Sequence, residues 1–325
     1  MRPSDPTDFK HLNFVMEYCT QNLMNVIRYN ADQMNTDHIK YLTYEIMKGV
    51  FYIHSKGIIH RDLKPLNILV DENWDVKIGD FGQSNVQIGQ INKDYNLTKH
   101  VTTRYYRAPE LYLNYESNYS TAVDMWAIGC IVAELFNKKV FVDAGSTDEY
   151  LESLVQMFGV PSEHIQKEIR NKNFLKYMIE QEPSIKKKTF QELIPSAPPS
   201  AIDLISKLLT YDPAERLTAS EVLKHPFLEE LYDPEHDDQV IEGKPVKYYD
   251  FEFEQYTLNK DILKELILDE VIMSNSKEAR QINRELRKQH SNGVLEMIYE
   301  RVDNPAQTRP LSPVSKLMSA QAQLR

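Results

Sequence analysis

The stretch GIIHRDLKPLNILV, residues 57–70, sets two apolar runs, Ile58-Ile59 and Ile68-Leu69-Val70, around His60, Arg61, Asp62, Lys64 and Asn67. Apolar flanks and a charged centre predict a loop pinned between two buried segments. Immediately before it, Asp37 to His54 carries Ile39, Leu42, Ile46, Val50 and Ile53 at helical spacing, so an amphipathic helix is expected there, with Gly57 just beyond its end. Immediately after it, Ile68-Leu69-Val70 and Val76-Lys77-Ile78 read as two short strands, and the DENWD turn between them predicts a hairpin.

The remaining segments divide into a few short strands and many helices. Leu12 to Met16 reads as a short buried strand. Gly82 to Lys99 is too irregular for any element and has the length of a functional loop. Ser120 opens a helix through Phe136 that is apolar nearly all round, as in Val123, Met125, Trp126, Ile128, Ile131, Val132 and Leu135, and such a helix belongs in the centre of a domain. Ser200 precedes a further helix, AIDLISKLL. Thr218-Ala-Ser-Glu221 has capping-box form, and Asp261 to Met273 reads as a late amphipathic helix. After Asp303 the polar, proline-containing composition predicts disorder.

The chain has 325 residues, 42% of them hydrophobic and 26% charged, which is ordinary globular composition. Its two cysteines, Cys19 and Cys130, are isolated and apolar in context. They make neither a disulfide framework nor a zinc site, so a reducing compartment is expected. The apolar run Met125 to Phe136 is broken by Glu134 and is too short to span a bilayer, and the opening RPSDPTDFK lacks the apolar core of a signal peptide. The expectation is a cytoplasmic or nuclear protein without membrane or nucleic-acid partners. The net charge of −10 is concentrated: Glu229 to Glu254 holds ten acids and two lysines. By composition alone that segment is a solvated acidic loop or a docking surface for basic peptides.

His60-Arg61-Asp62-Leu63 with Asn67 fits the pattern H-R-D-L-x-x-x-N. Asp80-Phe81-Gly82 follows the hairpin, and Ala108-Pro109-Glu110 follows the long loop. Order and spacing match the signature set of protein kinases, which the chain therefore resembles. The residue types suit phosphoryl transfer, which needs positioning and charge stabilisation more than covalent help. Asp62 would orient the attacking hydroxyl and accept its proton. Lys64 would hold the transferring phosphate. Asn67 and Asp80 offer hard oxygen atoms suited to Mg2+, with ATP as the phosphoryl donor.

More narrowly, the chain resembles the C-terminal lobe of a mitogen-activated protein kinase from about Phe9 to Met273. VTTRYYRAPE (101–110) is similar to that family's substrate-binding segment, and residues 171–195 to its insert. LYDPEHDD (231–238) resembles its acidic common-docking patch, and residues 256–273 its C-terminal extension. The resemblance implies an α+β fold, mainly helical, with short β-hairpins at the active-site edge. It implies a remnant of an N-terminal lobe and hinge at 1–19, the C-terminal lobe at 20–228, the acidic segment and extension at 229–273, and a polar tail at 274–325.

For individual residues the resemblance implies further roles. Met16 would be the gatekeeper beside the adenine, Glu17 to Cys19 the hinge, Asn22 the ribose position and Leu69 the floor of the adenine pocket. Thr103 would bond the catalytic loop, Glu110 would pair with Arg216, and Asp124 would anchor the catalytic-loop backbone. Arg104 and Arg107 would set substrate specificity, with Arg107 favouring Ser/Thr-Pro sites. Thr98 would take an activating phosphate from an upstream kinase, with Arg61 as its partner, and Asp233, Asp237 and Asp238 would bind basic docking peptides.

Three departures from the family stand out. His100 replaces the Tyr of the Thr-x-Tyr activation motif, and Gln83 follows Asp-Phe-Gly. None of the ten glycines forms a G-x-G pair, and the only lysine before Met16 is Lys10, so the Gly-rich loop and strand lysine of the upper lobe are missing. Two expectations follow: a kinase truncated at its N-terminus, or a non-catalytic docking protein.

Overall fold

The computed structural model describes residues 16–86, 104–113, 115, 120–184 and 188–237, and the isolated positions 260, 263, 264 and 267. The chain divides into two compact units, one of residues 18–247 and one of residues 1–17 with 248–325. Of the expected strand at 12–16 only Met16 is described, and it is not in a strand; Thr98, Thr103, Asp238 and the tail lie outside the described residues. Of the expected late helix, 261–273, only Leu263, Lys264 and Ile267 are described, all helical, as is Lys260 just before it.

The larger unit is mainly helical, with one three-stranded and one two-stranded antiparallel sheet. Its first half runs β1 (Gln21–Asn22), α1 (Leu23–Tyr29), α2 (Thr36–Ser55), β2 (Ile58–Ile59), β3 (Ile68–Val70), β4 (Val76–Ile78) and β5 (Asn85–Val86). The second half is helical: α3 (Pro109–Leu113), α4 (Ala122–Asn137), α5 (Thr147–Phe158), α6 (Glu163–Glu168), α7 (Lys172–Gln181), α8 (Phe190–Leu193), α9 (Pro199–Leu208), α10 (Ala219–Leu223) and α11 (Pro234–Asp237).

α2 forms where the periodicity requires it. Asn35 caps it by accepting the amide of His38 at 3.0 Å, and His38 Nδ1 accepts the amide of Asn35 at 3.3 Å, so an imidazole closes a capping box usually closed by a carboxylate. Leu42, Ile46, Met47 and Val50 form its buried stripe, and Gly57 ends the turn at φ +72°, a conformation that favours glycine. α4 is buried from Ala122 to Phe136 and is the axis of the core. Gly129 lets α9 approach it: a Cβ there would sit 2.7 Å from Leu209 Cδ2 and 2.9 Å from Leu208 Cβ.

Several boundaries differ from those expected. The central helix starts at Ala122, and Ser120 Oγ accepts the Ala122 amide at 3.3 Å from just outside it. The helix expected to follow Ser200 begins at Pro199, because proline is well suited to the first helical position, where its missing N–H costs nothing. The run after Gly82 is not wholly irregular. Phe81–Gln83 forms a 3-10 turn, and Asn85–Val86 pairs antiparallel with Ile59 and Ile58. The hairpin is as expected: β3 pairs with β4 through Ile68–Ile78 and Val70–Val76, and β1 adds to its other edge through Asn22–Leu69.

Candidate active site

The loop between β2 and β3 is held from beneath by one buried carboxylate. Asp124, on the first turn of α4, accepts the backbone amides of His60 and Arg61, each at 2.8 Å, and meets His54 Nε2 at 2.9 Å. His60 is itself buried, and its Nε2 lies 3.0 Å from the carbonyl of Gly79. The loop is thereby tied to α2, to α4 and to the residue before Asp80. Arg61 takes φ +71° and Asp80 φ +60°, left-handed values that cost a non-glycine residue about 1–3 kcal/mol unless its surroundings impose them.

Within this frame the predicted catalytic groups converge. Lys64 Nζ donates to Asp62 Oδ2 at 2.7 Å, and Asn67 Nδ2 donates to the Asp62 carbonyl at 2.9 Å and to Oδ2 at 3.2 Å. The Gly79 amide donates to the Asn67 carbonyl at 2.9 Å, which brings Asp80 to the same edge. Asp80 is exposed, and its Oδ1 accepts the Gly82 amide at 3.3 Å.

Asn67 and Asp80 fit a magnesium ion. With the amide nitrogen of Asn67 committed to Asp62, its oxygen is the atom suited to a cation, and Asp80 adds an exposed carboxylate. Mg2+ is commonly bound by one or two such oxygens together with water and substrate phosphates. Among the described residues there is no cluster of three or more His, Cys, Asp or Glu side chains that could cage an ion.

Other predicted residues fall in different places. Asn22 faces Leu69 across the β1–β3 pair, so the ribose position and the pocket floor share one sheet, while the Asn22 side chain caps α1 through the Asn25 amide at 3.0 Å. Cys19 is half-buried. Met16 and Glu17 belong to the other unit. Arg104 opens a 3-10 turn through Tyr106. Arg107 lines a small cavity with Asp62, Leu63, Ala108 and Leu111. Glu110 and Arg216 form a two-pronged pair at 2.6 and 2.8 Å, with the Arg216 side chain wholly buried and its guanidinium 5.1 Å from the Trp126 ring centre.

The acidic segment needs one correction. Asp233 is exposed, but Asp237 is buried, and its carboxylate accepts the Tyr44 hydroxyl and, at 3.1 Å, the Asp233 amide. Burial first, then the Asp237 carboxylate, pushes the Tyr44 hydroxyl well above its ordinary pKa, so it remains a donor. Asp237 therefore fastens the segment to α2 rather than presenting its charge to solvent.

Sequence reasoning missed His54, Glu134, Tyr106 and Tyr150. Tyr106 donates to Glu134 at 2.6 Å, and Tyr150 donates to the Arg107 carbonyl at 2.8 Å. His54, Glu134 and Tyr150 are single letters inside helices. Only the nearness of Tyr106 to the Ala-Pro-Glu motif pointed toward any of them.

An aspartate braced by a lysine and an asparagine, beside an exposed Asp-Phe-Gly carboxylate, is the arrangement expected of a protein kinase, and the family model described as protein kinase domain matches residues 6–228. Mitogen-activated protein kinase 5 of Oryza sativa subsp. indica is 37% identical over 275 residues, covering 84% of this chain and 71% of the relative. The homolog MMK2 of Medicago sativa is 34% identical, covering 85% and 71%, and mitogen-activated protein kinase 3 of Arabidopsis thaliana is 37% identical, covering 82% and 69%. The chain belongs to the mitogen-activated protein kinase family, and is a protein serine/threonine kinase.

Proposed function

We propose that this chain transfers the γ-phosphate of ATP to Ser-Pro and Thr-Pro sites in intracellular signalling, in the cytoplasm or nucleus. The observation that carries the reading is the bracing of Asp62 by Lys64 and Asn67. Asp62 orients the substrate hydroxyl and takes its proton. Lys64, already 2.7 Å from Asp62, is placed to meet the transferring phosphate. Asn67 and Asp80 would hold the Mg2+ of the Mg·ATP complex, which would offset the charge of the phosphate oxygens. Leu69, Asn22 and Cys19 would line the nucleoside side.

Selectivity for proline follows from Arg107. In the family the equivalent arginine occupies a loop carbonyl that would otherwise accept the N–H of the residue after the phosphoacceptor. An unpaired N–H there costs about 1–3 kcal/mol, and proline has none to lose. Asp233, with Asp238, is proposed to draw in basic docking peptides from substrates and an upstream kinase. Exposed charges act over roughly 10 Å at 0.1 M salt, so that attraction should fade as salt is added.

A second reading, a non-catalytic docking protein built as a C-terminal lobe, is favoured by one observation: no G-x-G pair occurs in the 325 residues. Positioning contributes about 7–11 kcal/mol to a reaction of this kind, and the Gly-rich loop and strand lysine of kinases supply part of it. A chimera supplying the Gly-rich loop and strand lysine of a relative should phosphorylate a Ser-Pro peptide, and Asp62→Asn should abolish it. Activity that survives Asp62→Asn, or a chimera that stays inert while folded and binding a basic docking peptide, would reject the catalytic reading.

A further inference from the structure

Resting on the reading of Arg107 as a wall of the substrate site, we propose that Tyr150 is a positioning residue for substrate choice, its hydroxyl fixing the Arg107 backbone beside Asp62. Tyr150 lies on α5, is fully buried, and is separated from Arg107 by 43 positions in sequence. No motif assigns it a part in the site.

The hydrogen-bond direction follows from the partners. Trp126 Nε1 lies 3.2 Å from the Tyr150 oxygen, and the Arg107 carbonyl oxygen 2.8 Å from it. An indole N–H can only donate and a carbonyl can only accept. The single proton of the Tyr150 hydroxyl must therefore go to Arg107, and Trp126 holds the oxygen that carries it. Burial pushes this hydroxyl well above its ordinary pKa, so the proton stays in place over any working pH.

The other end of Arg107 is held as well. Its guanidinium stands 5.5 Å from the centre of the Tyr112 ring, and that ring stands 5.4 Å from the ring of Tyr150. Backbone and side chain of Arg107 thus rest on Trp126, Tyr150 and Tyr112, contributed by α4, α5 and α3, with the Tyr112 and Tyr150 rings tilted at 52° to each other. The cavity that Arg107 lines, about 20 Å³ in volume, is lined by Asp62 and Leu63 as well. A shift of Arg107 reshapes this space without touching Asp62, so Tyr150 should act on which peptide is held and leave the bracing of the base alone.

The test uses the 325-residue chain, its Tyr150→Phe variant and a chain with 4-aminophenylalanine at position 150, which restores a donor at the same place. Two fluorescein-labelled peptides, identical except for Pro or Ala after the serine, are titrated by anisotropy, and amide hydrogen exchange is followed by mass spectrometry. In Tyr150→Phe, exchange in residues 105–111 is expected to quicken about three- to tenfold, and preference for the Pro peptide to fall by a similar factor, as for loss of one buried hydrogen bond. Exchange in α4 and α9 should not change, and the 4-amino residue should restore both readouts. Unchanged exchange in 105–111, failure of the 4-amino residue to restore it, or loss of protection across α4 and α9 as well would overturn the proposal, the last by making Tyr150 a stability residue only. Should the unsubstituted chain show no preference for Pro, the Ser/Thr-Pro reading fails while the exchange comparison still decides the role of Tyr150.

Discussion

Asp124 and Arg61 are 63 positions apart in sequence, yet the Asp124 Oδ1 accepts the Arg61 amide at 2.8 Å. The other oxygen accepts the amide of His60 at the same distance. A carboxylate accepting backbone amides makes charge-assisted bonds, roughly twice as strong as neutral ones. Two of them are enough to hold Arg61 in its left-handed conformation, at a backbone cost of about 1–3 kcal/mol.

Replacing Asp124 with Asn should therefore destabilise the fold although the shape is kept. The amide has one acceptor oxygen, and its NH2 would confront one of the two amides. A loss of about 1–3 kcal/mol is expected from the unpaired buried N–H. For a domain of this size that is roughly 2–4 °C in Tm per kcal/mol, and thermal melting will check it. An Asp124→Asn chain that melts with the unsubstituted one would mean the loop is held from elsewhere.

The Glu110–Arg216 pair should be costly to break from one side. Arg216 also donates through Nε to the Thr210 carbonyl at 3.0 Å and through Nη1 to the Ala122 carbonyl at 3.0 Å, so these bonds are made inside the protein. Glu110→Ala strands a buried guanidinium, at about 3–5 kcal/mol. Glu110→Gln with Arg216→Met should cost less than the sum of the two single changes. Denaturant melts of the four proteins close the cycle, and strict additivity would refute a coupled pair.

His225 predicts an acid-side loss of stability. Its Nδ1 accepts the Phe227 amide at 3.2 Å and its Nε2 faces Asp203 at 2.9 Å, an arrangement for the neutral ring with the proton on Nε2. Burial, the largest influence, lowers its pKa against the opposing pull of Asp203. The folded state then binds a proton less readily than the unfolded one. The stability is fully present above about pH 6.5, the unfolded value, and declines as pH falls below it. Tm measured from pH 8 to pH 5 should fall more for the unsubstituted chain than for His225→Asn, and parallel curves would assign the loss to other groups.

Activation is expected to need one phosphate. A phosphate on Thr98 adds close to two negative charges for Arg61 to meet, whereas His100 stands where the family has tyrosine and can take no phosphate on a hydroxyl. In an active chimera treated with an upstream kinase, Thr98→Ala should remove most of the peptide phosphorylation and His100→Ala little of it. Large and equal losses from both would reject single-site activation.

The catalytic loop, the hairpin and the main helices were legible because each is written locally. Ile39, Leu42, Ile46 and Val50 repeat at the helical period, and His60 to Asn67 lie within one short loop whose spacing is itself the signal. Helix starts were less legible, since Ser120 and Ser200 looked like caps while the turn geometry began the helices at Ala122 and Pro199. The pairing of Asn85–Val86 with Ile58–Ile59 was not legible at all, because two-residue strands carry no period.

Sequence by itself determined which residue types the site offers and in what order: a carboxylate expected to act as base, oxygens suited to magnesium, and a segment expected to meet the substrate. Tertiary structure alone decided what holds those groups. His54 reaches Asp124 across 70 positions, Tyr106 reaches Glu134 across 28, and Tyr150 reaches Arg107 across 43. It also turned Asp237 inward, because Tyr44, 193 positions away on α2, supplies a buried hydroxyl that needs an acceptor. In an acidic run every aspartate looks alike. Which one leaves water is set by the donor that the packed helix places beside it.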